Sequence, residues 1–269
     1  MKYEGVQAQD TGWSRVLPCE AIINFRDFGG YATAAGGRVV TGRLFRAAHQ
    51  HEATDADLAL MARLNLALVV DLRRPTERRT QPSRRPPNWR GQVIENDIGD
   101  EAETPHLTFL RRTDVTPAAI EEYLQGYYRK ALHEERHMDL FARALKALPQ
   151  TDGAALVHCA AGKDRTGLLV ALVHTVLGVH RDDIIADYLL TNELTMTGAR
   201  RAEVQKRLSG ALGRPVPDEA VHAFLGVAGH HLEIAFDSAK ERYGSVDGYL
   251  TRLGVTSADR DAIIARYTA

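Results

Sequence analysis

The chain has 269 residues, of which 44% are hydrophobic and 26% charged, with a formal net charge of −1. That balance excludes the broad basic surface of a nucleic-acid or anionic-membrane binder, so any anion site has to be local. A chain of this size builds its core without cross-links, so the two cysteines, Cys19 and Cys159, point to a reduced setting.

The N-terminal stretch has no apolar run of the kind a signal peptide carries. The most apolar segment, 168–179, is too short to span a bilayer and contains His174 and Thr175. Together these predict a cytoplasmic protein. Residues 20–47 alternate short apolar runs with the glycine pairs Gly29-Gly30 and Gly36-Gly37, which predicts short strands joined by tight turns. A helix is predicted over 54–64, opened by Thr54 as its N-cap, and a buried strand over 67–72. Residues 73–90 hold seven arginines and four prolines and read as a solvated loop, with attraction of an anionic headgroup or acidic substrate as the alternative. A short strand follows over 92–98. Pro117 opens a helix to about Leu132, and a second helix runs to Leu148, where Pro149 stops it. A short strand over 154–158 leads through a loop into a helix over 166–178 that is apolar nearly all round and therefore interior. From Arg181 the pattern is helical to the end, with breaks near Gly198, Gly213, Gly244 and Gly254. Strands early, helices late and a strand–loop–helix junction between them predict an α/β fold in one domain over 1–269.

That junction reads His158-Cys159-Ala160-Ala161-Gly162-Lys163-Asp164-Arg165-Thr166-Gly167. A thiol near pKa ~8.5 is mostly protonated at neutral pH, and the thiolate is the nucleophile. Loop amides of Ala160, Ala161 and Gly162 and the helix N-terminus together favour an anion, whether thiolate or phosphate. A shift of about three units corresponds to roughly 4 kcal/mol. Arg165, six positions after Cys159, can curl its planar fork back to hold two phosphate oxygens. Gly162 admits close backbone approach, Lys163 adds positive charge, and Thr166 can hydrogen-bond the thiolate or help water resolve a phosphocysteine. A Walker-type reading fails, because Gly162-Lys163 is followed by Asp164 and the upstream glycine is missing.

The string HCAAGKDRTG resembles the CX5R signature of the protein tyrosine phosphatase superfamily, in particular its bacterial atypical branch. The segments 24–31 (NFRDFGGY), 44–47 (LFRA), 71–73 (DLR) and 188–192 (YLLTN) carry the likeness over roughly residues 20–195. It implies a central, mostly parallel sheet flanked by helices. It also implies action on phosphotyrosine in proteins, with phosphoserine, phosphothreonine and phosphoinositides as further substrates, and no cofactor or metal. By the same analogy, helical insertions within 101–130 and 195–243 form a lid, although ordinary packing helices would give the same pattern.

Leaving-group protonation asks for a carboxylic acid beside the phosphate. Asp164 is the first candidate, and a helix N-terminal acid is its alternative role. Asp71 could donate a proton or orient Arg165, and Asp97 and Asp100 follow a predicted strand. Arg26 and Asp27 either line the pocket or hold a turn, and His158 either supports the thiolate or is a satisfied core histidine. Two other readings compete with the phosphatase. One is a zinc hydrolase on His133-Glu134-Glu135-Arg136-His137, where a charged setting favours a solvated face. The other is a phospho-binding module without turnover. His49, His51, His230 and His231 read as surface histidines.

Overall fold

The computed structural model describes residues 15–99 and 105–269. A five-stranded sheet runs in the order β1-β2-β5-β3-β4. Its strands are β1 (Arg26–Asp27), β2 (Leu44–Ala47), β3 (Leu66–Asp71), β4 (Gln92–Ile94) and β5 (Ala154–His158). Only the β1–β2 pairing is antiparallel; β5 lies parallel between β2 and β3, and β4 is parallel to β3. The register sets Ala47, His158 and Asp71 side by side at the C-terminal ends of the three central strands. Ligands in parallel α/β sheets gather at that edge.

One face of the sheet is covered by α1 (Asp55–Arg63) with Phe25, Phe45 and Met61. The helix starts where Thr54 and Asp57 form a reciprocal capping box. The other face carries the larger core. There α4 (Pro117–Ala131), α5 (Glu135–Ala147) and α6 (Asp164–Val176) meet α7 (Arg181–Thr195), α10 (Gly229–Tyr243), α11 (Val246–Arg252) and α12 (Ser257–Tyr267). Helix α6 is buried at Thr166 through His174 without a break, as its apolar circumference demands. Pro149 falls in a 3-10 turn, Leu148–Gln150, that ends α5, and Gly213 takes a left-handed conformation (φ 64°) at the break the sequence marks.

A third apolar cluster stands apart from both faces. It joins α3 (Pro105–Arg112) and the start of α4 to α8 (Gly198–Leu212) and α9 (Asp218–Leu225) through Leu110, Ile120, Leu124, Leu208 and Val221.

Two segments differ from the sequence expectation. Residues 73–90 are not one loop, because Pro75–Thr80 forms the helix α2. Pro75 sits in its first turn, where the missing N–H costs nothing, and the Glu77 carboxylate accepts from the backbone N–H of Arg74 at 2.7 Å. Nor is the segment solvated throughout: buried Arg73 donates to Gln81 O at 2.6 Å and Ser83 Oγ at 2.7 Å. The strand expected over 92–98 ends at Ile94, after which the Glu95 and Asn96 carbonyls bond to Arg143 and Arg78 instead of a neighbouring strand.

Candidate active site

Cys159 follows β5 directly, and α6 begins five residues later at Asp164. The loop between them is held from outside by its carbonyl groups. Ala160 O accepts from His49 N at 3.2 Å, and Ala161 O and Gly162 O accept from Asn24 Nδ2 at 3.3 and 2.8 Å. Gly162 O also accepts from Arg46 at 3.0 Å. In a trans peptide the N–H opposes the preceding carbonyl. Pulling these three carbonyls toward the scaffold therefore turns the N–H groups of Ala161, Gly162 and Lys163 the other way, into the loop's own concavity. Gly162 has φ 66°, and a Cβ there would lie 2.4 Å from the Ala47 carbonyl, so no side chain fits.

The scaffold is a buried charge cluster. Asp187 of α7 accepts from Arg46 at 2.6 Å and from Arg26 Nε at 3.4 Å, all three fully buried. Arg26 in turn donates to the Asn24 side chain. Burial pushes the Asp187 carboxyl up, but the two guanidinium groups outweigh it and hold its pKa well below the usual carboxylate range. Asn24 itself has φ 58°, a left-handed conformation that asparagine tolerates. Arg26 thus serves the loop's scaffold, bridging Asp187 and Asn24. Asp27 holds a turn, accepting from Gly29 N at 2.7 Å and Gly42 N at 2.5 Å.

Arg165 meets Glu77 of α2 fork to fork, at 2.6 and 2.8 Å, and donates to Leu72 O at 3.1 Å. Burial raises the Glu77 pKa, yet Arg165 prevails and brings it to about 2. A pair held this way fixes the guanidinium plane and leaves further N–H groups for an anion. Sequence reasoning missed Glu77, and gave Asp71 the chance to orient Arg165. The structure corrects that: Asp71 binds Arg73 through both oxygens (2.9 and 2.7 Å) and lies 3.6 Å from His158. Burial opposes its ionisation, but His158 and Arg73 keep its pKa well below the ordinary range, so it holds no proton to give at neutral pH.

Cys159 is only 3% exposed, and Thr166 is buried, its hydroxyl without a hydrogen-bond partner among the described residues. His158 is fully buried with its pKa brought down to about 3, burial being the main cause, so it is neutral. Asp164 is the first residue of α6. Its Oδ1 accepts from Tyr128 at 2.6 Å, and Tyr128 shares a short hydrogen bond with Tyr188. Lys163 does not point into the loop. Its ammonium donates to Phe224 O at 2.6 Å and Gly226 O at 3.2 Å, capping the C-terminal end of α9, with Asp164 3.6 Å away. His106 of α3 contacts the Phe224 ring (centroids 5.8 Å apart) within electrostatic reach of Glu77, Arg165 and Asp164.

Of the other acid candidates, Asp97 is exposed and paired with Arg78, and Asp100 lies outside the described residues. The zinc reading loses its geometry. Helix α5 starts at Glu135, leaving His133 in the preceding turn with its ring on Ser238 (2.7 Å), while buried His137 turns to Ala131 O (2.8 Å). His231 is buried and His49 half-buried, so neither is the surface histidine expected.

The loop stands at the C-terminal edge of a mostly parallel sheet, where folds of this class gather their ligands. The sequence profile of the tyrosine phosphatase family matches residues 17–269, and the chain belongs to that family. The chain is 32% identical over 262 residues to the triple specificity protein phosphatase PtpB of Mycobacterium tuberculosis, covering 87% of this chain and 92% of that one. A Cupriavidus necator protein that carries a tyrosine-protein phosphatase name is 32% identical over 238 residues, covering 87% and 82%. The crystal structure of Pseudomonas aeruginosa TpbA aligns at a TM-score of 0.30 with 20% identity, over 72% of this chain and 96% of that one. The protein is a hydrolase of phosphate monoesters, and among the described residues no helix is long and apolar enough to cross a membrane.

Proposed function

We propose that the chain hydrolyses phosphotyrosine in proteins through a phosphocysteine intermediate. Phosphoserine, phosphothreonine and phosphoinositides are further candidate substrates; the triple specificity in the mycobacterial relative's name supports action on more than one class of phosphate ester. The observation that carries the mechanism is the loop whose carbonyls are drawn outward around Cys159 while Arg165 is braced by Glu77. The Cys159 thiolate attacks phosphorus, the P–O bond to the leaving group breaks, and Asp164 gives its proton to the departing oxygen. The inward amides and Arg165 hold the equatorial oxygens. Water then attacks the phosphocysteine, with Asp164 taking its proton, and phosphate leaves. Asp164 is preferred as the acid because it opens α6 five residues after Cys159 and is partly exposed (24% of its side chain). Helices α3, α8 and α9 act as a lid that must move for a substrate to reach Cys159.

A panel of aryl and alkyl phosphates tests the reading. Cys159→Ser should abolish turnover, vanadate should inhibit, and turnover should survive a chelator. Asp164→Asn should lose most on poor leaving groups. Full turnover in the serine variant would sink the mechanism, and equal losses on every substrate would remove Asp164 as the acid.

A further inference from the structure

Glu121 of α4 meets His230 and His231 of α10 at the rear of the site. His230 Nε2 lies 2.6 Å from Glu121 Oε1, and His231 Nε2 lies 3.2 Å from Oε2. One donor atom from each residue falls within 4.8 Å of the other two. Ligands of a tetrahedral ion at ~2.0–2.1 Å stand roughly 3.3 Å apart, so small side-chain adjustments bring all three onto one centre.

The residues are also prepared as ligands. Gln125 donates to Glu121 Oε1 at 2.8 Å and orients the carboxylate. His231 is buried, while His230 and Glu121 are 47% and 38% exposed, which leaves a way in and room for water as a fourth ligand.

We propose that Glu121, His230 and His231 form a binding site for a borderline-soft divalent ion of the zinc class, strapping α4 to α10. The donor set of two imidazoles and one carboxylate suits zinc. At present His231 Nδ1 accepts from Ala228 N at 3.3 Å, which puts the ring proton on Nε2. On binding, the ion takes the Nε2 lone pair, the single ring proton moves to Nδ1, and the long Ala228 bond opens. The competing role is a His–Glu clasp at the start of α10, in which Glu121 complements the helix dipole. The site bears on the catalytic loop, because His231 stacks on Tyr128 (centroids 5.0 Å apart, planes 12° apart), whose hydroxyl holds Asp164.

The test uses the full chain as Cys159→Ser, which removes the thiolate as a competing zinc ligand and makes the outcome independent of the phosphatase mechanism. Calorimetric titration with Zn2+ at neutral pH should show one equivalent bound and a higher melting temperature at excess ion. Both should vanish in His230→Ala and Glu121→Gln and persist in His222→Ala, an exposed histidine elsewhere. Both replacements lie on the surface, and circular dichroism before titration confirms that they fold. No binding in the parent, or binding unchanged in the two variants, overturns the proposal and leaves the clasp.

Discussion

The catalytic loop is gripped from two sides that differ in kind. On the sheet side, Asn24, Arg26, Arg46 and Asp187 are almost completely excluded from water, and their bonds end on the loop's own carbonyls. On the outer side, the contact is a lysine on two carbonyls with its ammonium 5.5 Å over the Phe224 ring, which His106 of α3 in turn touches. The inner grip cannot let go without stranding charge in a low-dielectric interior. The outer one can, because Lys163 regains water when its two carbonyl bonds open. Rigid geometry thus sits where an anion must be matched, and reversible contact where a substrate must enter.

Removing Asp187 should break the inner grip with the largest effect. Asp187→Ala leaves two buried guanidinium groups without their counter-charge, a loss of about 3–5 kcal/mol of stability. Urea denaturation should read it, and phosphatase turnover should fall together with vanadate affinity, since the loop carbonyls lose Arg46 and Asn24. A variant of wild-type stability would show that Asp187 does not hold the cluster.

Glu77→Gln should come next. It replaces one of the two oxygens facing Arg165 with an NH2 group and removes the charge, so the fork keeps one weaker acceptor beside the Leu72 carbonyl, its plane loosens, and turnover should drop roughly 10–100-fold. Stability adds a pH signature. The folded pKa, about 2, is below the ordinary 4.5, so the pair's contribution is complete above 4.5 and disappears as pH falls toward 2. Urea midpoints over that interval should slope less in the glutamine variant. Parallel slopes would show that the pair adds nothing to folding.

What could be read in the sequence divides by chain distance. Cys159 and Arg165 are legible because their relation is local: strand, short loop, helix, with the spacing visible in the string itself. The inner grip was not, since Asn24 reaches Gly162 across 138 positions and Arg26 reaches Asp187 across 161, and nothing local marks which of many arginines is buried. The segments resembling the family contain these residues, but likeness gives no contact. Helix α2 was missed for a related reason. Its prolines and arginines have loop composition, and its single acid, Glu77, is tied to Arg165 88 positions later. Composition also misled at Lys163 and His231. A lysine inside a phosphate-type loop invites a role on phosphate, and a polar histidine pair suggests solvent, until α9 and Tyr128 are seen to take them up.

The smallest expected effect concerns the outer side, and it separates the two grips by pH. His106 is drawn down to about 4, chiefly by burial; Glu77 pulls it up while Arg165 and Lys163 push it further down. With the outer helices displaced, the ring would return toward its ordinary value of 6.5. Between those values the displaced form gains a proton that the closed form refuses, so displacement becomes easier as pH falls from 6.5 toward 4. Alkylation of Cys159 by a small reagent reports that displacement. Alkylation of a thiol is itself pH-dependent, so the useful quantity is the rate in the protein relative to His106→Gln at each pH. That ratio should rise several-fold on going from pH 7 to 5, because only the histidine form gains the acid-driven opening. On the sheet side His158 is neutral throughout this interval, held down to about 3 chiefly by burial, with Asp71 pulling it up and Arg85 and Arg73 pushing it further down. A flat ratio would place His106 outside the moving layer and leave Lys163 and Phe224 as its latch.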